Sequence, residues 1–319
     1  GEEVINFQKA FSAFNKSKYC IGVANGTDAL EIAIEALNLP KGSEIIVPNF
    51  TFLSPAEAVI RSGYKLVLAD INLEDYTISI ESIERCITNK TRAIIVVHLF
   101  GNPCDMGEIL KISKIYNLKI IEDCSQAHGA KFNGKEIGNF GDIGTFSFYP
   151  TKNLGAFGDA GAIVTNKKYI QDKVSKIANH GRIDTYDHVL PGRNSRLDSI
   201  QAFILKKKLN DLTKSNSKRV KQANFYSRNL DKEKIKIMSL SSKQSSVFHQ
   251  FPIRIKNRDM LLKYLKNKGI ISGIYYPKPL SEMKAFKSKV EPKKVEIYNS
   301  LKASKEIFHQ NLVKRDISV

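Results

Sequence analysis

No apolar run in this 319-residue chain reaches the ~18 residues that a membrane-spanning helix needs. The longest greasy stretches, such as Ala93–Leu99, are strand-sized, so no membrane association is expected. Cysteine is scarce. Cys20, Cys86, Cys104 and Cys124 are scattered with no CxxC spacing, which argues against a zinc site and a disulfide framework and fits a reducing cytoplasm. No metal is expected. No charged stretch followed by an apolar one opens the chain, so no secretory signal is expected. The turn after the first candidate strand lacks GxGxxG, which disfavours a Rossmann dehydrogenase. Internal repeats and low-complexity linkers are also missing.

What remains is an ordinary globular composition, 42% hydrophobic and 26% charged, which argues against disorder. The length suggests two domains, or one large α/β unit with a smaller companion. Charge is divided unevenly. Residues 1–200 carry 22 Lys+Arg against 23 Asp+Glu, whereas residues 201–319 carry 28 against 9. Such a basic third raises the question of nucleic acid. Its lysines are dispersed singly or in short runs such as Lys206-Lys207-Lys208, with no recognition motif beside them. A solvated surface is the better reading, and no nucleic-acid partner is expected.

Short β-branched runs alternate with helical patterns through the first half. Candidate strands are Tyr19–Val23, Glu44–Val47, Lys65–Leu68, Ala93–Leu99, Lys119–Ile121, Ile143–Phe148 and Ala162–Thr165. Candidate helices are Thr27–Asn38, Pro55–Ser62, Ile80–Ile87, Met106–Tyr116 and Lys167–Ala178. This alternation predicts α/β architecture: a large domain, residues 1–200, around a mostly parallel sheet covered on both faces. Leu197–Leu212 reads as one long helix leaving that domain. A smaller α+β domain, residues 201–319, follows, with strand Phe248–Ile255, helix Asp259–Lys268 and strand Ile270–Tyr276. Ligands of such sheets bind at the carboxyl ends of the strands.

Four stretches at those ends carry chemistry. Asn25-Gly26-Thr27-Asp28 could hold an anion on the first N–H groups of a helix, or Asn25 or Thr27 could simply cap it. Asp123, in Glu122-Asp123-Cys124-Ser125-Gln126, puts a carboxylate at a buried strand end, where it needs a cation or caps the next loop. Gln126 could reach a phenolic oxygen beside that cation, and nearby His128 reads as a structural hydrogen-bonder. Lys152 follows a buried strand in a glycine-rich, aromatic-lined turn, Tyr149-Pro150-Thr151-Lys152-Asn153-Leu154-Gly155. Such surroundings lower an amine's pKa and make it a nucleophile toward a carbonyl carbon. Ser147, five residues earlier, offers a hydroxyl to a phosphate. Arg193-Asn194-Ser195-Arg196 suits a phosphate, or Asn194 or Ser195 caps a helix.

Seven runs in order resemble the DegT/DnrJ/EryC1/StrS family from about Glu2 to Phe286: NGTDAL (25–30), VPNFTF (47–52), HLFGNPCDM (98–106), EDCSQAHGA (122–130), FSFYPTKNLGAFGDAG (146–161), NHG (179–181) and GRNSRLD (192–198). The family comprises pyridoxal 5'-phosphate (PLP) sugar aminotransferases of fold type I, with a seven-stranded sheet in the large domain. The resemblance implies that Lys152 bonds the cofactor and shuttles a proton, and that Asp123 pairs with the pyridine nitrogen. It implies Gln126 near the ring hydroxyl, Phe52 stacked on the ring, and Thr27, Asp28 and Ser147 in the phosphate cup. Asn194 would complete the cup of the other subunit, giving a homodimer with shared sites. Asn153, His249, Tyr275 and Tyr276 would bind substrate. Ser272–Leu280 resembles the segment of members that aminate a 3-keto sugar on a nucleoside diphosphate, most closely dTDP-3-keto-6-deoxyhexoses, with glutamate as donor, for surface polysaccharide or glycan biosynthesis.

The sequence departs from the family at a few places. Ser281 stands where this branch usually has His or Asn. The chain starts at Gly1 inside a helical pattern, without the segment that usually precedes Glu2. The tail Phe308–Val319 does not resemble the closing strand and helix and reads like a truncation or a shifted frame. The smaller domain is therefore expected to be incomplete, which keeps a truncated or non-catalytic PLP-binding member as the alternative. The related sugar 3-dehydratases carry His at the lysine position, and Lys152 argues against them.

Overall fold

The structure is a computed structural model and describes residues 1–290 and 297–310. Helix α1 (Glu2–Asn15) spaces Phe7 and Phe11 one turn apart, and both are fully buried. Their rings meet Phe148 edge-on, and Phe11 also meets Phe146, with centroids 5.0–5.4 Å apart. Strands and helices then alternate: β1 (Tyr19–Val23), α2 (Gly26–Leu37), β2 (Glu44–Pro48), α3 (Ser54–Arg61), β3 (Lys65–Ala69), α4 (Ile80–Cys86), β4 (Thr91–Val97), α5 (Met106–Ile115) and β5 (Lys119–Asp123). After the two-residue strands β6 (Lys131–Phe132) and β7 (Lys135–Glu136) come β8 (Ile143–Ser147), β9 (Gly161–Thr165) and α6 (Lys168–Ala178).

Seven of these strands form one sheet in the order β1-β9-β8-β5-β4-β2-β3. Neighbours from β8 to β3 are parallel, and β9 runs antiparallel to both β8 and β1. Residues 93–97 of β4 are buried on both faces, as their unbroken apolar run predicts. That strand ends at Val97, two residues before the expected end. His98 N–H bonds the Asp123 carbonyl at 3.1 Å, and the chain then turns through Phe100 in the left-handed region, φ 58°.

The expected long helix at 197–212 is two helices, α7 (Ser199–Leu209) and α8 (Leu212–Asn229). The break falls at Asn210 and Asp211, two residues of low helix propensity. Asp198, rather than Asn194 or Ser195, caps α7 by accepting the Ile200 N–H at 2.8 Å. Next come β10 (Lys236–Ile237), β11 (Gln244–Ser245), β12 (Phe251–Arg254), α9 (Arg258–Asn267), β13 (Ser272–Gly273), α10 (Lys284–Lys287), α11 (Tyr298–Glu306) and β14 (Ile307–Gln310). The expected strands at 248–255 and 270–276 are shorter than their apolar runs: Phe248 turns the chain at φ 42°, and among the described residues only 272–273 of the second run pair with a neighbouring strand.

A second sheet has the order β10-β12-β14-β13. The tail thus contributes a strand after all, with Phe308 buried; residues 311–319 lie outside the described residues. Asp70, just beyond β3, fastens α11 to the main sheet by accepting the N–H groups of Asn299 and Ser300, each at 2.8 Å. Among the described residues no helix is long and apolar enough to cross a membrane.

Candidate active site

The carboxyl ends of β1, β2, β4, β5 and β8 converge on a cavity of about 670 Å³, closed on one side by residues 249–250 and 275–276. Of the residues singled out in the sequence, Thr27, Phe52, Asp123, Gln126, Ser147, Lys152, His249, Tyr275 and Tyr276 all line it. Segments up to 249 residues apart therefore meet at one place. Asp28, Asn153 and Asn194 are not on its wall.

The start of α2 forms one end of the cavity. Asn25 caps the helix by accepting the Asp28 N–H at 2.8 Å, so the Asp28 amide is committed to the cap. Gly26 and Thr27, ahead of it, lie on the wall, as does Leu30 one turn further on. The positive end of the helix and its first N–H groups make this an anion site. Gly26 is there for space: a Cβ would lie 2.6 Å from the Ser147 Cβ. Its absence lets the helix start abut the Ser147 hydroxyl.

At the other end, burial lowers the Lys152 amine to about pKa 8, and the Asp123 carboxylate partly opposes that shift. Burial raises the Asp123 carboxyl above the usual carboxylate range, while Ser125 and the Lys152 charge pull it back. Asp123 Oδ1 accepts the Ser125 N–H at 3.0 Å, so this carboxylate both caps its loop and faces the cavity. Gln126 is clamped. Its Oε1 accepts the Phe100 N–H at 2.7 Å, and its Nε2 donates to the Tyr276 hydroxyl at 3.1 Å. The left-handed backbone of Phe100 turns that N–H onto Gln126, an uncommon conformation for a non-glycine residue.

Behind the wall, Glu122 is fully buried and fully used. It accepts the N–H groups of Gly138, Phe140 and Gly141, each at 2.7 Å, and meets His98 Nε2 at 3.1 Å. His98, Glu122 and Cys124 cluster closely, but these bonds already occupy the carboxylate, and the Cys104 N–H bonds His98 Nδ1 at 3.0 Å. His128 is structural, as expected. Its Nε2–H donates to the Ser147 carbonyl at 3.0 Å, and burial, with the Lys152 charge, lowers its pKa to about 3.

The sequence reading missed several wall residues, among them Thr51, Ser54, Asp159 and Gln250. Among the described residues, the buried Thr51 Oγ1 and Gln250 Oε1 have no hydrogen-bond partner. Thr51 and Asp159 lie inside quoted runs, but nothing in a lone Thr or Asp marks it as facing a ligand. The expected phosphate role of Arg193 does not hold: its guanidinium bonds Glu31 at 2.5 Å and Glu35 at 2.9 Å. Asn194 lies exposed on the outer surface, its backbone bridged to Asn179. Ser281 donates its N–H to Asn49 Oδ1 at 2.9 Å and is off the wall.

Known proteins are similar to this chain in sequence and fold. The chain is 44% identical over 266 residues to the UDP-N-acetyl-3-dehydro-alpha-D-glucosamine 3-aminotransferase of Acidithiobacillus ferrooxidans, covering 83% of this chain and 72% of that protein. It is 42% identical over 286 residues to the dTDP-3-amino-3,6-dideoxy-alpha-D-galactopyranose transaminase of Aneurinibacillus thermoaerophilus, covering 90% and 79%. The crystal structure of NtdA from Bacillus subtilis with bound cofactor PMP superposes with a TM-score of 0.88 at 31% identity, covering 97% of this chain and 72% of that one. Residues 1–315 match the DegT/DnrJ/EryC1/StrS aminotransferase family, and the chain belongs to that family, with its fold type I architecture.

Proposed function

We propose that this chain is a PLP-dependent transaminase that moves an amino group from glutamate to the keto group, at C3, of a nucleoside-diphosphate-linked deoxy sugar. The observation that carries this is Lys152, a partly buried lysine whose amine is held near pKa 8 beside the buried Asp123, in one cavity with the open end of α2. The names of the two relatives support C3 as the position and a nucleotide sugar as the substrate. The product would serve surface polysaccharide or glycan biosynthesis. The four cysteines are free thiols, which suits a cytoplasmic enzyme.

The residues present fit PLP. A dianionic phosphate matches the α2 start with the Ser147 hydroxyl, and the unpartnered Thr51 hydroxyl is a polar wall atom that a ligand can satisfy. When bound, PLP supplies an electron sink that lets an amino group and a proton pass between donor and acceptor. The chain's own residues do the rest. Gly26, Thr27 and Ser147 would hold the phosphate. Asp123 would keep a proton on the pyridine nitrogen through a charge-assisted hydrogen bond. Gln126, fixed by Phe100 and Tyr276, would steady the ring hydroxyl. Phe52, half exposed at the cavity mouth, would cover the ring. Lys152 would anchor the cofactor and would take and return a proton at its Nζ, which an amine near pKa 8 can do at neutral pH.

We also assign Asn194 to the partner's phosphate cup in a homodimer. Its position off its own cavity and on the outer surface fits that role. The basic excess of residues 201–319 would draw in the diphosphate, with on-rates that fall as salt rises.

The test is amino transfer itself. Purified protein with PLP and glutamate should convert a nucleotide-linked 3-keto sugar to the amino sugar with release of 2-oxoglutarate. No product from any 3-keto nucleotide sugar, with PLP bound, would overturn the reading. Mixing Lys152→Ala with Asn194→Ala should restore activity in mixed dimers, which have one site with both residues intact. No recovery after verified subunit exchange would refute shared sites.

A further inference from the structure

Behind the cavity wall, one buried imidazole closes a loop. The backbone N–H of Cys104 can only donate, and it reaches His98 Nδ1 at 3.0 Å. Nδ1 is therefore the acceptor nitrogen, and in the neutral ring Nε2 carries the hydrogen. Nε2 donates it to Glu122 Oε2, 3.1 Å away. Glu122 is itself fixed, because its oxygens also accept the N–H groups of Gly138, Phe140 and Gly141. The His98 backbone is held as well. Its N–H bonds the Asp123 carbonyl at 3.1 Å, and its carbonyl accepts the Gly101 N–H at 3.3 Å. One ring thus joins the two ends of the loop 98–104 and pins them to β5.

Phe100 lies inside that loop, fully buried, with φ 58°. A non-glycine residue keeps this backbone only where its surroundings impose it. The Phe100 N–H meets Gln126 Oε1 at 2.7 Å. Because a backbone N–H only donates, it decides which way the amide lies: oxygen toward Phe100, Nε2 toward the Tyr276 hydroxyl at 3.1 Å. The other hydrogen on Nε2 is what Gln126 can offer the cavity it lines. We propose that His98 is a positioning residue: its imidazole clasps the loop 98–104 onto Glu122, aims the Phe100 N–H at Gln126, and so turns a donor rather than an acceptor toward the cofactor's ring hydroxyl. A donor there favours the ionised ring oxygen. His98 does not line the cavity and acts through Phe100 and Gln126. That a ring hydroxyl sits beside Gln126 rests on the transaminase reading; the clasp does not.

Hydrogen exchange followed by NMR in cofactor-free protein tests the clasp. His98→Asn keeps an acceptor for the Cys104 N–H but is too short to reach Glu122. His98→Gln keeps a donor for Glu122 but gives up the Cys104 acceptor. In each variant the Phe100 amide should exchange ~10-fold faster or more, while the amides of β4 stay as protected as in the parent. Parent-like exchange at Phe100 in either folded variant, or an equal loss of protection through β4, would overturn the proposal. In the loaded protein the cofactor absorbance spectrum at one fixed pH tests the route. His98→Asn and Gln126→Leu should each shift it toward the protonated ring hydroxyl, and the double variant should shift it no further than Gln126→Leu alone. Shifts that add would refute action through Gln126. A parent with no cofactor absorbance would count against the transaminase reading alone, and the exchange rates would still decide the clasp.

Discussion

Replacing Asp123 by Asn should push two properties of the site in opposite directions. The Lys152 amine has an ordinary pKa of 10.5 and is lowered by burial to about 8, and the Asp123 charge is what keeps it from falling further. At pH 7.5 an amine of pKa 8 is about one-quarter neutral, against about one in a thousand for an unperturbed one, so burial raises the reactive fraction roughly 200-fold. Asp123→Asn keeps the shape, removes the charge and should move the titration below 8. In cofactor-free protein, a pulse of small aldehyde with borohydride, followed across pH by mass spectrometry of the Lys152 peptide, reads the midpoint. The variant amine should react faster at pH 7 than the parent's. Turnover of the loaded variant should nevertheless drop at least ~100-fold if, as proposed, the Asp123 charge stabilises the protonated pyridine nitrogen. The native amine gives up its proton before the unfolded chain does, so stability should rise with pH between about 8 and 10.5, by about 3 kcal/mol in all. A parent midpoint near 10, or a midpoint that rises in Asp123→Asn, would refute this electrostatic account.

Two further outcomes follow from the geometry. His128 is held neutral down to about pH 3 in the folded protein, whereas the unfolded chain takes up the proton near its ordinary value of 6.5. Stability should therefore fall as pH drops through that window, by a few kcal/mol at most. Urea melts at two pH values should show a shallower loss in His128→Gln, and parallel losses would contradict the assignment. Gly26→Ala places a Cβ 2.6 Å from the Ser147 Cβ. It should weaken PLP binding ~10-fold or more, about 1.4 kcal/mol, in a fluorescence titration. Parent-like affinity would remove the helix start from the phosphate cup.

The alternation of β-branched runs and helical patterns made the main sheet legible, with boundaries within about two residues, because those strands are buried on both faces and carry their own signal. The smaller sheet was less legible. Its strands are two to four residues long and exist through pairing, not through composition. Within the site, Asp123 and Ser147 could be found because each ends a strand, and Gln126 and Lys152 because each follows one, where the carboxyl ends of the strands face the cavity. Thr51 and Gln250 could not, since facing a cavity is a tertiary property. Gly26 was legible only as part of a helix start; its close approach to Ser147 is visible in the structure alone. The Arg193 reading failed because its partners, Glu31 and Glu35, lie about 160 residues away on another helix and leave no local signal.

The central claim is that Lys152 is the amine that bonds the cofactor. Borohydride reduction of the protein mixed with PLP, then digestion and mass spectrometry, tests it most directly. The account predicts a single fixed pyridoxyl group on the peptide carrying Lys152, with no such group in folded Lys152→Ala. A stable pyridoxyl group on another lysine, or an equal yield from the variant, would contradict it.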